Sequence, residues 1–253
     1  MITAVINQKG GVAKSTTVQS MGAGLQRKGY KVLLLDMDSQ GNLSLSVGAD
    51  KSRGIPSILE VLTNELPITD AIQTIRGTDI VPATISLAGI DMVLNEMGKE
   101  YRLKEAVAPI KDKYDFILID TPPALGILTI NALTCADNVV VPAEADVYSI
   151  EAVGQLSNTI NAVKQYTNKD LSIVGILLTR YSGRAIISKA LKDMIDTTAQ
   201  CLNTKLFDAK IRECIAIKEA KAQKQDIFSY AGSSNAAIDY GAFVAEYLEN
   251  IGK

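Results

Sequence analysis

Six short apolar runs recur along this chain, at residues 2–6, 32–35, 79–81, 116–119, 138–141 and 173–178, and several are almost unbroken Val, Ile and Leu. A strand that is apolar on both faces must be covered on both, which a parallel sheet flanked by helices achieves. Helix-length amphipathic stretches at 15–28, 149–165 and 186–200 separate the runs, and 235–250 reads as a closing helix. Strand and helix alternate, so the chain is predicted to be α/β: a doubly wound, mostly parallel sheet with helices on both faces. Its 253 residues suffice for one such core. No repeat, low-complexity tract or linker interrupts it, so one domain over 1–253 is expected.

The residue inventory narrows the chemistry. Histidine is absent, and the three cysteines, Cys135, Cys201 and Cys214, lie far apart with no CxxC spacing. Zinc constellations, His-based triads and a disulfide framework are thereby excluded, and reduced cysteines suit a cytoplasmic protein. Neither a signal peptide nor an apolar run near 20 residues is present, so no membrane span is expected. Function must rest on carboxylates, lysines, backbone amides and a bound metal.

Ligands of such folds bind beyond the carboxyl ends of the strands, and three of those loops carry unusual residues. The first reads Gln8-Lys9-Gly10-Gly11-Val12-Ala13-Lys14-Ser15-Thr16, between the first strand and the first helix. Gly10 and Gly11 let the backbone approach a polyphosphate with its N–H groups turned inward, and the helix start adds its positive dipole end. Lys14 is placed to neutralise β- and γ-phosphates, and the Ser15 hydroxyl to ligate Mg²⁺. ATP with Mg²⁺ is the expected ligand. A Gly-containing turn beside a lysine is the bland alternative, and position and spacing weigh against it. The second loop, Asp36-Met37-Asp38-Ser39-Gln40-Gly41, sets two carboxylates at i and i+2 past a strand, suited to the metal and to an attacking water. Alone it would read as a polar turn. The third run, Phe116-Ile117-Leu118-Ile119-Asp120, ends an apolar strand in a carboxylate that reaches Mg²⁺ through water. Each acidic loop is weak by itself; the three loops together are specific.

The KGGxxK[ST] loop resembles that of the deviant Walker A ATPases, the ParA/MinD group. Residues 125–133 after the Pro122-Pro123 pair, and the segments Val141-Pro142-Ala143-Glu144, Leu177-Leu178-Thr179 and Ile217-Lys218-Glu219-Ala220, are similar to ParA/Soj-like partition ATPases over nearly the whole chain. The resemblance implies a P-loop NTPase fold, ATP hydrolysis, and an ATP-dependent homodimer in which Lys9 reaches the partner subunit's nucleotide. It implies that Asp38 positions the attacking water, that Asp36 supports the metal's water shell, and that Arg212 and Cys214 fall where relatives contact adenine. Many relatives carry proline and asparagine at those two positions. Ala13 stands where glycine is commoner, and its methyl is expected to crowd the loop.

Residues 180–224 hold ten basic and five acidic side chains in a chain whose net charge is −2, a basic stripe on an acidic body. Such a stripe suits sequence-independent contact with nucleic-acid phosphates. Arg184, Lys210, Lys218 and Lys221 are the candidate DNA contacts, Arg184 by the resemblance. For any single lysine a solvated helix face is the competing account. The acidic C-terminal helix disfavours a MinD-like membrane role, and the loop's start at residue 9 leaves no room for an N-terminal helix-turn-helix domain. The resemblance thus implies a DNA-partition ATPase whose dimer holds nonspecific double-stranded DNA until a ParB-like centromere-binding protein stimulates slow hydrolysis. A cargo-positioning or membrane-cycling ATPase, and a nucleotide-dependent interaction module, remain the alternatives.

Overall fold

In the computed structural model the described residues are 1–181, 195–197, 199–200 and 202–253, with side chains described for all of these except 147–153. The strands are β1 (Ile2–Val5), β2 (Val32–Asp36), β3 (Gln73–Ile75), β4 (Thr78–Val81), β5 (Phe116–Asp120), β6 (Asn138–Ala143), β7 (Ser172–Tyr181) and β8 (Leu206–Arg212). They lie in one sheet in the order β3-β4-β2-β5-β1-β6-β7-β8. Every pairing is parallel except β3 with β4. The six expected runs all became strands. The two edge strands, β3 and β8, had not been anticipated.

Side chains leave a strand alternately up and down, so each apolar run feeds two cores. Leu33, Leu35, Ile117, Ile119, Val139 and Val141 face one way, under the helices Ile127–Cys135 and Val147–Tyr166, which contribute Leu133, Leu156 and Ile160. Val32, Leu34, Phe116, Leu118 and Val140 face the other way. There the helix Lys14–Arg27 packs Val18, Met21 and Leu25, and the helix Asn235–Asn250 packs Tyr240, Phe243, Val244 and Tyr247. Burying each such side chain stabilises the fold by about 1.5–3 kcal/mol. The two buried tyrosines keep their hydroxyls partnered, Tyr247 with Thr3 at 2.6 Å and Tyr240 with Thr17 at 3.3 Å. The C-terminal helix therefore spends its apolar face on the sheet.

Parallel register sets the site. Val5 of β1 and Asp36 of β2 both lie level with Asp120 of β5, which runs between them. The loops after these three strands consequently leave the same edge of the sheet, side by side.

Candidate functional site

The first loop is pinned before its helix begins. The buried Asn7 donates from Nδ2 to Pro142 O of β6 (2.7 Å), while its Oδ1 accepts from Lys9 N (2.9 Å). The Thr179 hydroxyl of β7 sits between Val12 O at 3.1 Å and Ala143 O at 3.3 Å. Gly10 and Gly11 are exposed, and Gly11 adopts φ +83°, open to a side-chain-free backbone alone without strain. Ala13 caps the helix Lys14–Arg27 with φ 65° and ψ 29°, and its carbonyl accepts from Thr17 N at 2.8 Å. An L-residue with a Cβ in this left-handed region costs roughly 1–2 kcal/mol, which is the backbone reason a glycine would be at ease here.

Lys14 opens the helix and is 8% exposed, with Nζ 3.2 Å from Lys9 O. Burial lowers its pKa, against the opposing pull of Asp120 and Asp38. Ser15 and Thr16 follow, half-buried.

The carboxylates differ in how they are held. Asp36 is fully buried, and its Oδ2 accepts from both Ser44 N (2.8 Å) and Ser44 Oγ (2.6 Å), while Oδ1 accepts from Asp38 N (3.1 Å). Burial raises its pKa to about 6 although these bonds act to lower it. Asp38 turns Oδ1 to Gln40 N at 3.0 Å and is 9% exposed. Asp120 is fully buried, and neither carboxylate oxygen has a hydrogen-bond partner of good geometry. Burial first, and Asp36 second, push its pKa well above the ordinary value, with the Ser15 hydroxyl and the Lys14 ammonium nearby only partly offsetting them. An orphaned buried carboxylate facing a serine hydroxyl fits a hard cation. Among the described residues no cluster of three or more His, Cys, Asp or Glu forms a protein-only cage; magnesium sites commonly use one or two carboxylates with phosphate oxygens and water instead.

Lys9 extends the other way. Its Nζ pairs with Glu144 Oε2 at 3.2 Å and with Asp146, and Glu144 Oε1 accepts from Arg180 Nη1 at 3.1 Å. Burial works against the ammonium, yet Asp146 and Glu144 together hold its pKa above the usual value. Sequence reading passed over Asp146 and took Glu144 only as part of a similar segment. The signal was available: both follow β6 at its carboxyl end, the same position that singled out Asp36 and Asp120.

The remaining candidates are dispersed. Arg212 donates from its backbone N to Asp239 Oδ2 (2.9 Å), and its guanidinium forks onto the same carboxylate at 2.7–3.2 Å. Cys214 is half-buried and caps the helix Ile215–Ala222. Among the described residues, the hydrogen bonds of Arg212 run to Asp239 and not to the phosphate loop. Lys218 and Lys221 are exposed on that helix, opposite its buried Ala216 and Ala220, and Lys221 Nζ lies 3.4 Å from Asn42 Oδ1. A cavity of about 20 Å³ there is shared by Ser15, Thr16, Asn42 and Lys221, bringing this helix against the phosphate-loop helix. Lys210 stands on β8 with Nζ 5.2 Å from the Tyr181 ring centre. Arg184 lies outside the described residues.

Comparison with known proteins agrees with this geometry. Residues 1–173 match a family model described as an AAA domain. The chain is 36% identical over 252 residues to the sporulation initiation inhibitor protein Soj of Bacillus subtilis, covering 98% of each. It is 35% identical over 251 residues to the chromosome partitioning protein ParA of Myxococcus xanthus, covering 98% of this chain and 88% of that one. A crystal structure of cobyrinic acid a,c-diamide synthase from Mycobacterium smegmatis with bound ADP and magnesium superimposes with a TM-score of 0.85 and 36% identity, covering 100% of this chain and 95% of that chain. A strand-ordered edge carrying a two-lysine phosphate loop and two acidic loops, in a chain similar end to end to Soj and ParA, places this protein in the ParA/Soj family of P-loop ATPases.

Proposed function

We propose that this chain is a DNA-partition ATPase that binds Mg-ATP at the carboxyl edge of β1, β2 and β5. The observation that carries the reading is the convergence of Lys14, Ser15, Asp36, Asp38 and Asp120 on that edge, with Asp120 buried and unpaired. The backbone of residues 9–16 would wrap the phosphates, Lys14 would lie against the β- and γ-oxygens, and Ser15, Asp120 and Asp36 would hold Mg²⁺, directly or through its water shell. Magnesium held there would supply positive charge against the negative charge that develops on the phosphate oxygens. Asp38 orients the attacking water, accepting a hydrogen bond from it in line with that group. Lys14 stabilises the equatorial oxygens. Lys9 reaches the nucleotide of the partner subunit in a face-to-face dimer, a role like that of an arginine finger supplied in trans.

The names of the relatives, Soj and ParA, supply the biological direction. In this reading the ATP-bound dimer holds nonspecific double-stranded DNA in the cytoplasm, Lys218, Lys221 and Lys210 contribute phosphate contacts, and a ParB-like partner stimulates hydrolysis and release. The membrane alternative has less support: the helix Asn235–Asn250 buries Tyr240, Phe243 and Tyr247 against the sheet.

The test is binding of random-sequence duplex DNA with ATP, with ADP and without nucleotide, at 50 and 200 mM salt. ATP-dependent binding that weakens steeply with salt supports the proposal. ATP-driven dimerisation with no DNA binding in any state would refute the partition role. Two variants test the parts: Lys14→Ala should lose ATP binding, and Asp38→Ala should bind ATP and dimerise without turning over.

A further inference from the structure

The acidic loop after β2 is held from outside by a third lysine. Asp38 sits in a tight turn: its carbonyl accepts from Gly41 N at 2.7 Å, and its Oδ1 accepts from Gln40 N at 3.0 Å. Gly41 closes that turn with φ 59° and starts the helix Asn42–Val47, its carbonyl accepting from Leu45 N at 2.9 Å. Lys51 donates from Nζ to the same carbonyl at 3.3 Å. Its stem lies across the glycine where a side chain would project: a β-carbon on Gly41 would fall 2.6 Å from Lys51 Nζ, 3.2 Å from Lys51 Cδ and 3.0 Å from Ala83 O.

Lys51 is carried on a braced segment. Asp50 N donates to Gln73 Oε1 (2.8 Å) and Gln73 Nε2 donates back to Asp50 O (2.9 Å), which ties residue 50 to β3. Ser52 N donates to Asp50 Oδ1 at 2.8 Å on the other side of the lysine. The half-buried side chain thus reaches the turn from a fixed base, and among the described residues its hydrogen bond runs to a backbone carbonyl. The residue that flanks Gly41 opposite Lys51 is anchored too: Ala83 N donates to Ser44 Oγ, whose hydroxyl donates to Asp36. The turn that bears Asp38 is therefore clasped between Lys51 and the exit of β4.

We propose that Lys51 is a positioning residue for ATP hydrolysis, which fixes the Gly41 carbonyl and through it the turn that aims the Asp38 carboxylate. A lysine gives up rotamer freedom when its ammonium is held, and water would satisfy the charge without that loss. A charge-assisted bond to a carbonyl offsets the loss and stiffens the group it holds. The effect falls on the chemical step because Asp38 works by orientation, and a displacement of about 1 Å can cost about a hundredfold in rate. Nucleotide binding is assigned instead to the first loop, with Lys14 and Ser15, and Lys51 acts on the second. The proposal rests on the reading that Asp38 places the attacking water.

The experiment compares full-length wild type with K51M, K51R, D38A and K51M/D38A. Hydrolysis of γ-labelled Mg-ATP is followed in the steady state and in single turnovers, Mg-ATP affinity by titration calorimetry, and stability by thermal melting. K51M keeps the stem and removes the ammonium. It is expected to lose about tenfold in kcat, with KM and Mg-ATP affinity within about twofold of wild type. K51R, which restores a cationic donor, should recover most of that loss. In the D38A background K51M should cost nothing further, because residues that act through one group are not additive. Wild-type kcat in K51M beside an inactive D38A would overturn the role of Lys51 and leave Asp38 in place. Normal turnover by D38A would overturn the Asp38 reading and this proposal with it. A further tenfold loss on adding K51M to D38A would show that Lys51 acts apart from Asp38, and a loss of ATP affinity and melting temperature that tracks the loss of kcat would reduce it to a framework contact; either overturns the proposal. If K51M does not yield folded protein, K51Q, which removes the charge on a shorter polar stem, takes its place in every comparison.

Discussion

Asp120 offers the sharpest quantitative test of the site. It is fully buried at the end of β5, level with the equally buried Asp36, and both of its oxygens lack hydrogen-bond partners. Asp36 sets the scale: although it accepts three hydrogen bonds, burial still lifts its pKa from 3.8 to about 6. Two pKa units correspond to roughly 3 kcal/mol between its two protonation states. Asp120 has no such bonds, and only Lys14 and Ser15 to offset burial. Asp120→Asn preserves shape, removes the ionisable carboxyl and adds an N–H able to face Asp36. Taking the penalty of an unsatisfied buried polar group as about 2 kcal/mol, the nucleotide-free variant should be that much more stable at pH 7.5. For a chain of this length that raises the melting temperature by about 4–8 °C. The pH dependence follows with a definite sign. Both carboxylates bind a proton more tightly folded than unfolded, so their contribution to stability is full below pH 3.8 and is lost as the pH rises, through about 6 for Asp36. Wild type should therefore gain stability between pH 7.5 and pH 6, and the variant should gain less. Thermal melts at both pH values, read by circular dichroism without nucleotide, decide it. An unchanged or lower melting temperature at pH 7.5 would refute the account of Asp120 as a carboxyl group penalised by its burial, and retained Mg-dependent hydrolysis would remove it from the metal site.

Three further substitutions probe the surroundings. Ala13→Gly relieves the left-handed backbone at φ 65° but gives the unfolded chain more freedom, for a net gain near 1 kcal/mol and a melting temperature higher by about 2–4 °C; a decrease would count against strain in the loop. Ser44→Ala takes a 2.6 Å donor from Asp36 and strands Ala83 N, which donates to the Ser44 hydroxyl at 3.0 Å, at a cost of about 1–3 kcal/mol. Because the lost bond served the ionised carboxylate, urea denaturation should show a larger deficit at pH 8 than at pH 5.5, and equal deficits would contradict the assigned pKa direction. Gly175→Ala places a methyl 2.6 Å from the Phe207 ring, which is fully buried against Phe243 at 5.0 Å between ring centres. Overpacking there should cost about 1–3 kcal/mol in a urea melt, with partial rescue by Phe207→Leu.

The interior of this fold was legible because β1, β2, β5 and β6 must be apolar on both faces. The edges were not. β8 interleaves Asp208, Lys210 and Arg212 with the buried Phe207 and Ile211, so its apolar signal comes from one side only. β3 is three residues long and pairs antiparallel, outside the βαβ rhythm that organised the reading. In the site the same division holds. Lys14, Asp36 and Asp120 stand at fixed offsets from strand ends, and a strand end can be read locally. Their supports come from afar: Thr179 meets Val12 across 167 residues, and Asn7 meets Pro142 across 135. A serine eight residues past Asp36 gives no local sign that both its N–H and its hydroxyl will serve one carboxylate.

Those remote supports explain how the edge can hold what it holds. A desolvated lysine, two buried aspartates at neighbouring positions and an alanine in a left-handed turn each oppose folding by amounts of order 1–3 kcal/mol, against a total stability of about 5–15 kcal/mol for a typical domain. They lie where three parallel strands of the central sheet end, with unbroken Val, Ile and Leu beneath them, and Asn7 and Thr179 lock the turn to β6 and β7. The same burial that lowers the Lys14 pKa raises those of Asp36 and Asp120. A ligand that brings negative charge to the lysine and a cation to the aspartates would reverse each of these shifts at once. Binding would then be linked to stability as RT ln(1 + [L]/Kd), about 2.7 kcal/mol at a hundredfold excess over Kd. On this argument the strain at the edge favours nucleotide-bound over nucleotide-free protein, and it is sustained by the most deeply buried strands in the molecule.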